Sequence, residues 1–208
     1  MTAAPDDVGA LWLQTLQRAV GRASHDVKDA LNGISVNLEV IRSRAARADT
    51  PASSVARFGD AATQQYERLT TLIDAVLTLG RAEREPADIV ATLHRVATLC
   101  SASASSGDAT VRVIADGASR STLTRVHGDA LRLALAAPLL DLVAGADRSK
   151  QASEVQCTVR SGDDAVEVVM SAEGRTARMP EAVGSVTRAA GVHWTQGEQV
   201  LTLAFPRA

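Results

Sequence analysis

The 208-residue chain is poor in aromatic residues and cysteines and has no excess of positive charge. Only 2% of its residues are aromatic although 46% are hydrophobic, so its core must be built largely from Ala, Val and Leu. Cys100 and Cys157 form no Cys-x-x-Cys motif and are typical of small buried residues in a reducing cytoplasm. The net charge of −2 offers no basic excess for binding nucleic-acid phosphates. These features predict a cytoplasmic protein that does not bind nucleic acid.

Long apolar runs and cofactor motifs are also missing. No segment is apolar over the length that spans a bilayer, and Asp6 and Asp7 are unlike a signal peptide. No two histidines have the spacing of metal ligands, and neither a P-loop nor a dinucleotide fingerprint occurs. We therefore expect no membrane partner and no metal or cofactor held by this chain.

What the sequence does contain is two long amphipathic segments joined by a short turn. The first is predicted to be a helix over residues 6–47 and the second a helix over residues 51–85, with Pro51 able to open the second. Their apolar positions mostly alternate spacings of three and four, the pattern of a heptad seam. The seam consists of Leu13, Val20, Val27, Leu31, Ile34, Leu38, Ile41 and Ala45, and then of Val55, Phe58, Ala62, Gln65, Leu69, Leu72, Val76 and Leu79.

Residues 1–85 are therefore predicted to form an antiparallel helical hairpin with one apolar stripe on each helix. A hairpin alone would leave much of this stripe in water, whereas a second copy of the chain would bury it in a four-helix bundle. The sequence thus predicts a homodimer.

His25 lies on the side of the first helix that faces away from the seam. With the seam at heptad positions a and d, His25 occupies position b, and Asp29 and Asn32 share its solvent face. Asp26 and Lys28 are its close neighbours in the sequence. An imidazole held in water by a stiff helix, between carboxylates and an ammonium group, packs against nothing. This arrangement indicates a reactive group.

The other three histidines are poorer candidates. His94 is expected on a packed helix, and His127 and His193 are expected at the ends of strands or loops. We therefore expect His25 alone to project outward from a rigid helix.

Residues 86–208 form a second predicted domain, in which helices and strands are interleaved. Helices are predicted at 88–100, in a strongly apolar segment that Asp129 caps, and at 180–190. Strands are predicted at 110–114, 123–126, 154–160, 165–171 and 199–205. The turn at residues 161–164 joins two of these strands into a hairpin. This order predicts a two-layer α/β sandwich.

Residues 25–34 resemble the phospho-acceptor box of two-component histidine kinases, which reads His, an acid, any residue, Lys or Arg, Asn, Pro and Leu. Asp29 stands where Asn is usual, and Ala30 stands where Pro is usual. The resemblance implies that His25 is the nucleophile and forms phosphohistidine. It also implies that Asp26 accepts a hydrogen bond from the other ring nitrogen or acts as a base.

Two further roles follow from the same resemblance. Lys28 would stabilise the negative charge of the transferred phosphoryl group, and Asn32 could orient the partner. Related kinases that hydrolyse the phosphate of a response regulator use Asn or Thr at the position of Asp29 to hold the attacking water. The negative charge of Asp29 suits this attack on phosphate poorly.

The second domain is similar to the ATP-binding domain of histidine kinases but departs from it where nucleotide would bind. Residues 128–133 resemble the start of the helix that carries the asparagine box. Pro138 and Leu142 occupy the box positions, and Ala172 replaces the aspartate that binds adenine. Gly174 is the glycine that survives from the following turn. The resemblance implies a degenerate domain that has lost ATP binding. An unrelated α/β sandwich is the alternative interpretation of this half.

An acceptor box beside a degenerate nucleotide site predicts a dimeric histidine phosphotransferase of a bacterial phosphorelay. It would relay phosphoryl groups between the aspartates of response-regulator receiver domains, with an upstream hybrid histidine kinase as a further partner. The Mg²⁺ ion would come from the acidic pocket of the receiver. Three alternatives stay open: a divergent sensor histidine kinase, a response-regulator phosphatase, and a non-catalytic dimeric scaffold.

Overall fold

The first part of the chain is a hairpin of two long helices, as predicted. The computed structural model describes residues 5–47, 51–81, 86–102, 109–115, 122–149 and 153–208. Helix α1 (Pro5–Ala45) has 41 residues and continues through Gly21 without a break, and helix α2 (Ala52–Leu79) returns antiparallel to it. Helix α2 ends six residues before its predicted end at residue 85, where the backbone N–H of Gly80 donates to the carbonyl of Val76 at 3.0 Å.

The predicted boundary between the two domains falls beside residues 82–85, which lie outside the described residues. Beyond it, a mixed five-stranded sheet has the strand order β2-β4-β5-β7-β6. Its strands are β2 (Ala109–Ala115), β4 (Ser153–Ser161), β5 (Ala165–Ala172), β6 (His193–Gln196) and β7 (Val200–Pro206). Strands β2 and β4 are parallel, and the other neighbours are antiparallel.

Three helices complete the α/β part of the molecule: α3 (Ile89–Ala102), α4 (Gly128–Ser149) and α5 (Glu181–Ala189). Along β5, every second side chain is buried, so one face of the sheet forms the core. The predicted two-layer α/β sandwich is confirmed. Two short strands, β1 (Ala87–Asp88) and β3 (Leu123–Thr124), pair separately.

Helix starts in this domain depend on side chains next to them. The carboxylate of Asp88 accepts hydrogen bonds from the backbone N–H groups of Val90 (2.9 Å) and Ala91 (3.1 Å), which caps α3. The cap predicted for Asp129 differs from what is found. Asp129 lies inside α4, where its own N–H donates to Nδ1 of His127 at 3.3 Å.

The helical hairpin is packed onto the α/β domain through α4. Residues 131–140 of α4 are all buried, because the sheet covers one side of this helix and α1 covers the other. Arg132 joins three helices at this contact. Its guanidinium donates to the carbonyl of Leu79 (3.3 Å) and to the carboxylate of Asp129 (3.0 Å), and it lies 5.9 Å from the ring of Trp12. Cation–π contact and charge-assisted hydrogen bonds together satisfy this buried cation.

The predicted seam is divided between burial within the chain and exposure to solvent. Trp12, Ala19, Ala23 and Ala30 are the buried apolar residues of α1, and none of them belongs to the predicted seam. Three seam residues of α1, Leu13, Leu31 and Leu38, are about half exposed or more. On α2 the exposed apolar residues are Tyr66, Ile73 and Leu77. The hairpin therefore keeps a solvent-facing apolar stripe beside its own packed interface.

Candidate active site

His25 projects into solvent from the middle of α1, and its ring lies beside one carboxylate. Its side chain is 81% exposed. The Nδ1 atom lies 2.9 Å from a carboxylate oxygen of Asp29, one helical turn further on. This contact follows from local geometry, because side chains four residues apart lie on the same face of a helix. The other ring nitrogen, Nε2, is left for an incoming group.

Asp26 has a different partner from the one that the resemblance implies. Its carboxylate, 17% exposed, is paired with the guanidinium of Arg68 on α2. The physical reason is direction, since consecutive residues point about 100° apart around a helix. Asp26 is turned towards α2 while His25 is turned towards solvent. The carboxylate beside the His25 ring is therefore that of Asp29.

The remaining predicted site residues lie on the exposed face of α1. Lys28 and Asn32 are both solvent-exposed, and their positions three and seven residues after His25 place them on its side of the helix. The five predicted residues therefore separate into an exposed group of four and one residue, Asp26, that belongs to the contact between the helices.

Arg68 is a site neighbour that the sequence interpretation missed. It is 42 residues from Asp26 in the chain, and no local motif marks it. Counting outward from the turn does not find it either, because Asp26 lies 19 residues before the end of α1 whereas Arg68 lies 16 residues after the start of α2. The pair fastens the histidine-bearing segment of α1 to α2.

Exposure does not distinguish His25 from the other histidines, contrary to the expectation above. His94 is also exposed on a helix, α3, and His127 and His193 are exposed at the start of α4 and of β6. What distinguishes His25 is its setting. It combines a carboxylate on Nδ1 with an exposed lysine on the same helix face, whereas Nδ1 of His127 already accepts a backbone hydrogen bond.

The two cysteines have no nucleophilic character. Both are buried free thiols, Cys100 in α3 and Cys157 in β4. Burial raises the pKa of Cys157 to about 12 and raises that of Cys100 further, because a thiolate is poorly solvated in an apolar core. Both side chains therefore remain protonated thiols at neutral pH.

The α/β domain does not present ligands at the positions that resemble a nucleotide site. Pro138, Leu142 and Ala172 are buried, and the carbonyl of Leu142 accepts a hydrogen bond from Arg175 at 2.9 Å. Proline and leucine side chains have no oxygen for Mg²⁺, and an alanine methyl group cannot accept from adenine. Gly174 adopts a positive φ of 67°, which makes it a turn residue. These residues do not fit a magnesium–nucleotide complex.

In the part of the chain that the structure describes, no group of three His, Cys, Asp or Glu side chains could hold a metal ion. None of the helices described is long and apolar enough to cross a bilayer.

No family model matches the chain, and no curated protein sequence matches it. Similar solved structures include the histidine kinase domain of the blue-light activated kinase EL346 from Erythrobacter litoralis, with 16% identity and a TM-score of 0.45 over 91% of this chain and 94% of that one. The histidine kinase AdeS from Acinetobacter baumannii has 14% identity and a TM-score of 0.39 over 88% and 97% of the two chains. A bacterial phosphotransferase has 14% identity and a TM-score of 0.39 over 98% of both chains.

Proposed function

We propose that the chain is a dimeric histidine phosphotransferase that relays phosphoryl groups between response-regulator receiver domains through His25. The observation that carries this proposal is the exposed imidazole of His25, beside the carboxylate of Asp29, on a hairpin packed against a domain in which Pro138, Leu142 and Ala172 offer no ligand to a nucleotide. A protein with these residues at those positions would receive its phosphoryl group from another protein and not from ATP.

The chemistry needs an accessible nitrogen and a partner that supplies the rest of the site. An imidazole is partly neutral at physiological pH and can attack the phosphorus of an aspartyl phosphate. Lys28, exposed on the same helix face, is placed to attract the phosphoryl oxygens. The Mg²⁺ ion that neutralises phosphate charge would be held by the acidic pocket of the receiver.

The exposed apolar stripe supports a homodimer. Leu13, Leu31 and Leu38 on α1, together with Tyr66, Ile73 and Leu77 on α2, form what we call the apolar surface of the hairpin. Counting about 100° per residue on two antiparallel helices places both sets on one side of the hairpin. A soluble chain rarely leaves such a stripe in water, and a second hairpin would cover it in a four-helix bundle. His25 lies about 120–140° around α1 from this surface and would stay open in the dimer.

A divergent kinase is the main competing function, and the packing of α1 on α4 disfavours it. A kinase domain must present its nucleotide to the histidine of the hairpin. Here α1 covers the outer side of α4, and Arg18 pairs with Asp141 across the contact at 3.4 Å. Calorimetric titration with MgATP should show no binding at millimolar concentration. Micromolar binding would overturn the phosphotransferase proposal in favour of a kinase.

Phosphotransfer itself is tested with receiver domains that carry a radiolabelled aspartyl phosphate. Mixing them with this protein should move the label onto it in an acid-labile, base-stable form, as phosphohistidine requires. Loss of label from every receiver as inorganic phosphate would point to the phosphatase alternative. Retention of label on every receiver would point to the scaffold alternative.

A further inference from the structure

A cavity of about 300 Å³ lies where α1, α4 and α5 meet. Its apolar wall consists of five alanine and valine side chains, among them Val8 on α1, Ala130 on α4 and Ala190 at the end of α5. A closed apolar cavity of about 150 Å³ is enough to bind benzene in a protein. The cavity between the three helices therefore has room for a ring and a polar group attached to it.

Two side chains at the start of α4 give this cavity its polar lining, His127 and Asp129. His127 is the N-cap of the helix, because its carbonyl accepts the N–H of Leu131 at 3.0 Å and its Nδ1 accepts the N–H of Asp129 at 3.3 Å. A neutral imidazole that accepts at Nδ1 carries its proton on Nε2. His127 therefore offers the cavity an N–H donor.

Asp129 offers an acceptor to the same cavity. Its Oδ1 accepts a hydrogen bond from the guanidinium of Arg132 at 3.0 Å, which balances the charge of the carboxylate. Its Oδ2 lies towards α1, 3.9 Å from the point where a Cβ atom on Gly9 would stand. Because glycine has no side chain, Gly9 does not cover this oxygen. The polar lining thus combines one donor with one acceptor.

We propose that this cavity binds a small apolar molecule that carries one hydroxyl or carboxamide group. Such a group can donate to Oδ2 of Asp129 and accept from Nε2–H of His127 at the same time. Each charged alternative meets one unsuitable partner. An ammonium group has no lone pair for the N–H of His127, and a carboxylate group is repelled by Asp129.

A molecule bound in this cavity would link the helical hairpin to the α/β domain. Val8 belongs to the hairpin, whereas His127 and Ala190 belong to the domain. Because the unfolded chain has no such cavity, a bound molecule should raise the midpoint of thermal unfolding. The inference goes beyond the proposed phosphotransfer and does not depend on it.

The first experiment titrates the full chain with four probes that share a benzene ring, at about pH 8, where an imidazole is ordinarily neutral. The probes are benzyl alcohol, benzamide, benzylamine and benzoate, and binding is followed by the backbone amide signals of Gly9 and Gly128 in ¹H–¹⁵N NMR spectra. The two uncharged probes should bind with a Kd of about 1 mM or below, and the two charged probes at least about tenfold more weakly. A preference of less than about threefold, or no binding of the uncharged probes at about 10 mM, would overturn the inference.

The second experiment uses substitutions to test whether the probes bind in this cavity, with circular dichroism to check that each variant is folded. Ala190→Leu fills the cavity and should weaken benzamide binding about tenfold or more, whereas Ala182→Leu, at an exposed position of α5, should leave it unchanged. His127→Asp keeps an acceptor for the N–H of Asp129 but removes the N–H donor, so it should weaken benzamide binding and strengthen benzylamine binding. Equal effects of the two leucine substitutions, or an unchanged order of the probes in His127→Asp, would overturn the inference.

Discussion

The helical hairpin and the α/β domain differ in where they place their charged side chains. On α1, His25, Lys28 and Asp29 project into water, where each contributes little to the stability of the fold. On α4, the side covered by α1 is apolar, and the buried charged residue Arg132 joins helices. The comparison shows that layer architecture and chemistry are separable. The buried apolar face of the sheet stabilises the fold. A nucleotide site depends instead on a few side chains outside that face whose oxygen atoms bind the ligand.

The largest expected effect of a substitution is at His25. Replacing it with alanine removes the nucleophile, so uptake of acid-labile phosphate from a labelled receiver should be lost completely, while circular dichroism and dimer mass stay unchanged because the side chain is exposed.

The matched control is His94→Ala, which removes another exposed histidine on a helix. It should take up label as the original chain does. If His25→Ala still accepts phosphate, or if His94→Ala fails to, the reactive face has been assigned to the wrong helix.

The second prediction concerns the apolar surface of the hairpin. Leu31→Asp places a charge in this surface, and burying it unpaired against a second copy would cost several kcal/mol, so light scattering should show a folded monomer. Val36→Asp serves as the control, because Val36 is equally apolar and exposed but lies on the side of α1 that carries His25.

Val36→Asp should remain dimeric. A dimer in both variants would place the association elsewhere. Leu72→Asp is a poorer test than the seam pattern implied, because Leu72 is 5% exposed within one chain. That substitution should unfold the protein before it separates two copies.

The third and smallest effect concerns the attachment of the hairpin to the domain. Trp12 is buried against Arg132, and Trp12→Ala should lower the free energy of unfolding by about 3–5 kcal/mol in a denaturant titration. Gln14→Ala, two residues away and exposed, should change it by less than about 0.5 kcal/mol. Equal effects of the two substitutions would mean that the hairpin and the domain are not packed as described.

The features that follow from local pattern could be predicted from the sequence. Heptad spacing predicted both helices of the hairpin, and alternation predicted β2, β4, β5 and β7 and also β3, which ends two residues before its predicted end. Strands β1 and β6 were missed for physical reasons. A two-residue strand has no period to detect, and β6 is an edge strand with three exposed residues and one partly buried, Trp194.

Contacts between distant segments could not be predicted from periodicity. The seam pattern places Leu13 inside and says nothing of Trp12, yet Trp12 is buried because α4 lies against that side of α1. In the same way, the solvent face of His25 was predicted correctly from the heptad, while the pairing of Asp26 with Arg68 depends on how two helices align. Which acid lies beside the histidine could therefore not be predicted from the motif alone.

The placement of His25 and of the apolar surface on separate sides of one helix has a consequence for how the molecule tolerates change. Free energies of substitutions add when the residues share no contacts. Changes at Leu38 should therefore alter self-association, changes at Lys28, ten residues away, should alter recognition of a partner, and the two should sum. Such a helix can acquire a new partner by altering one side while the assembly on the other side is preserved.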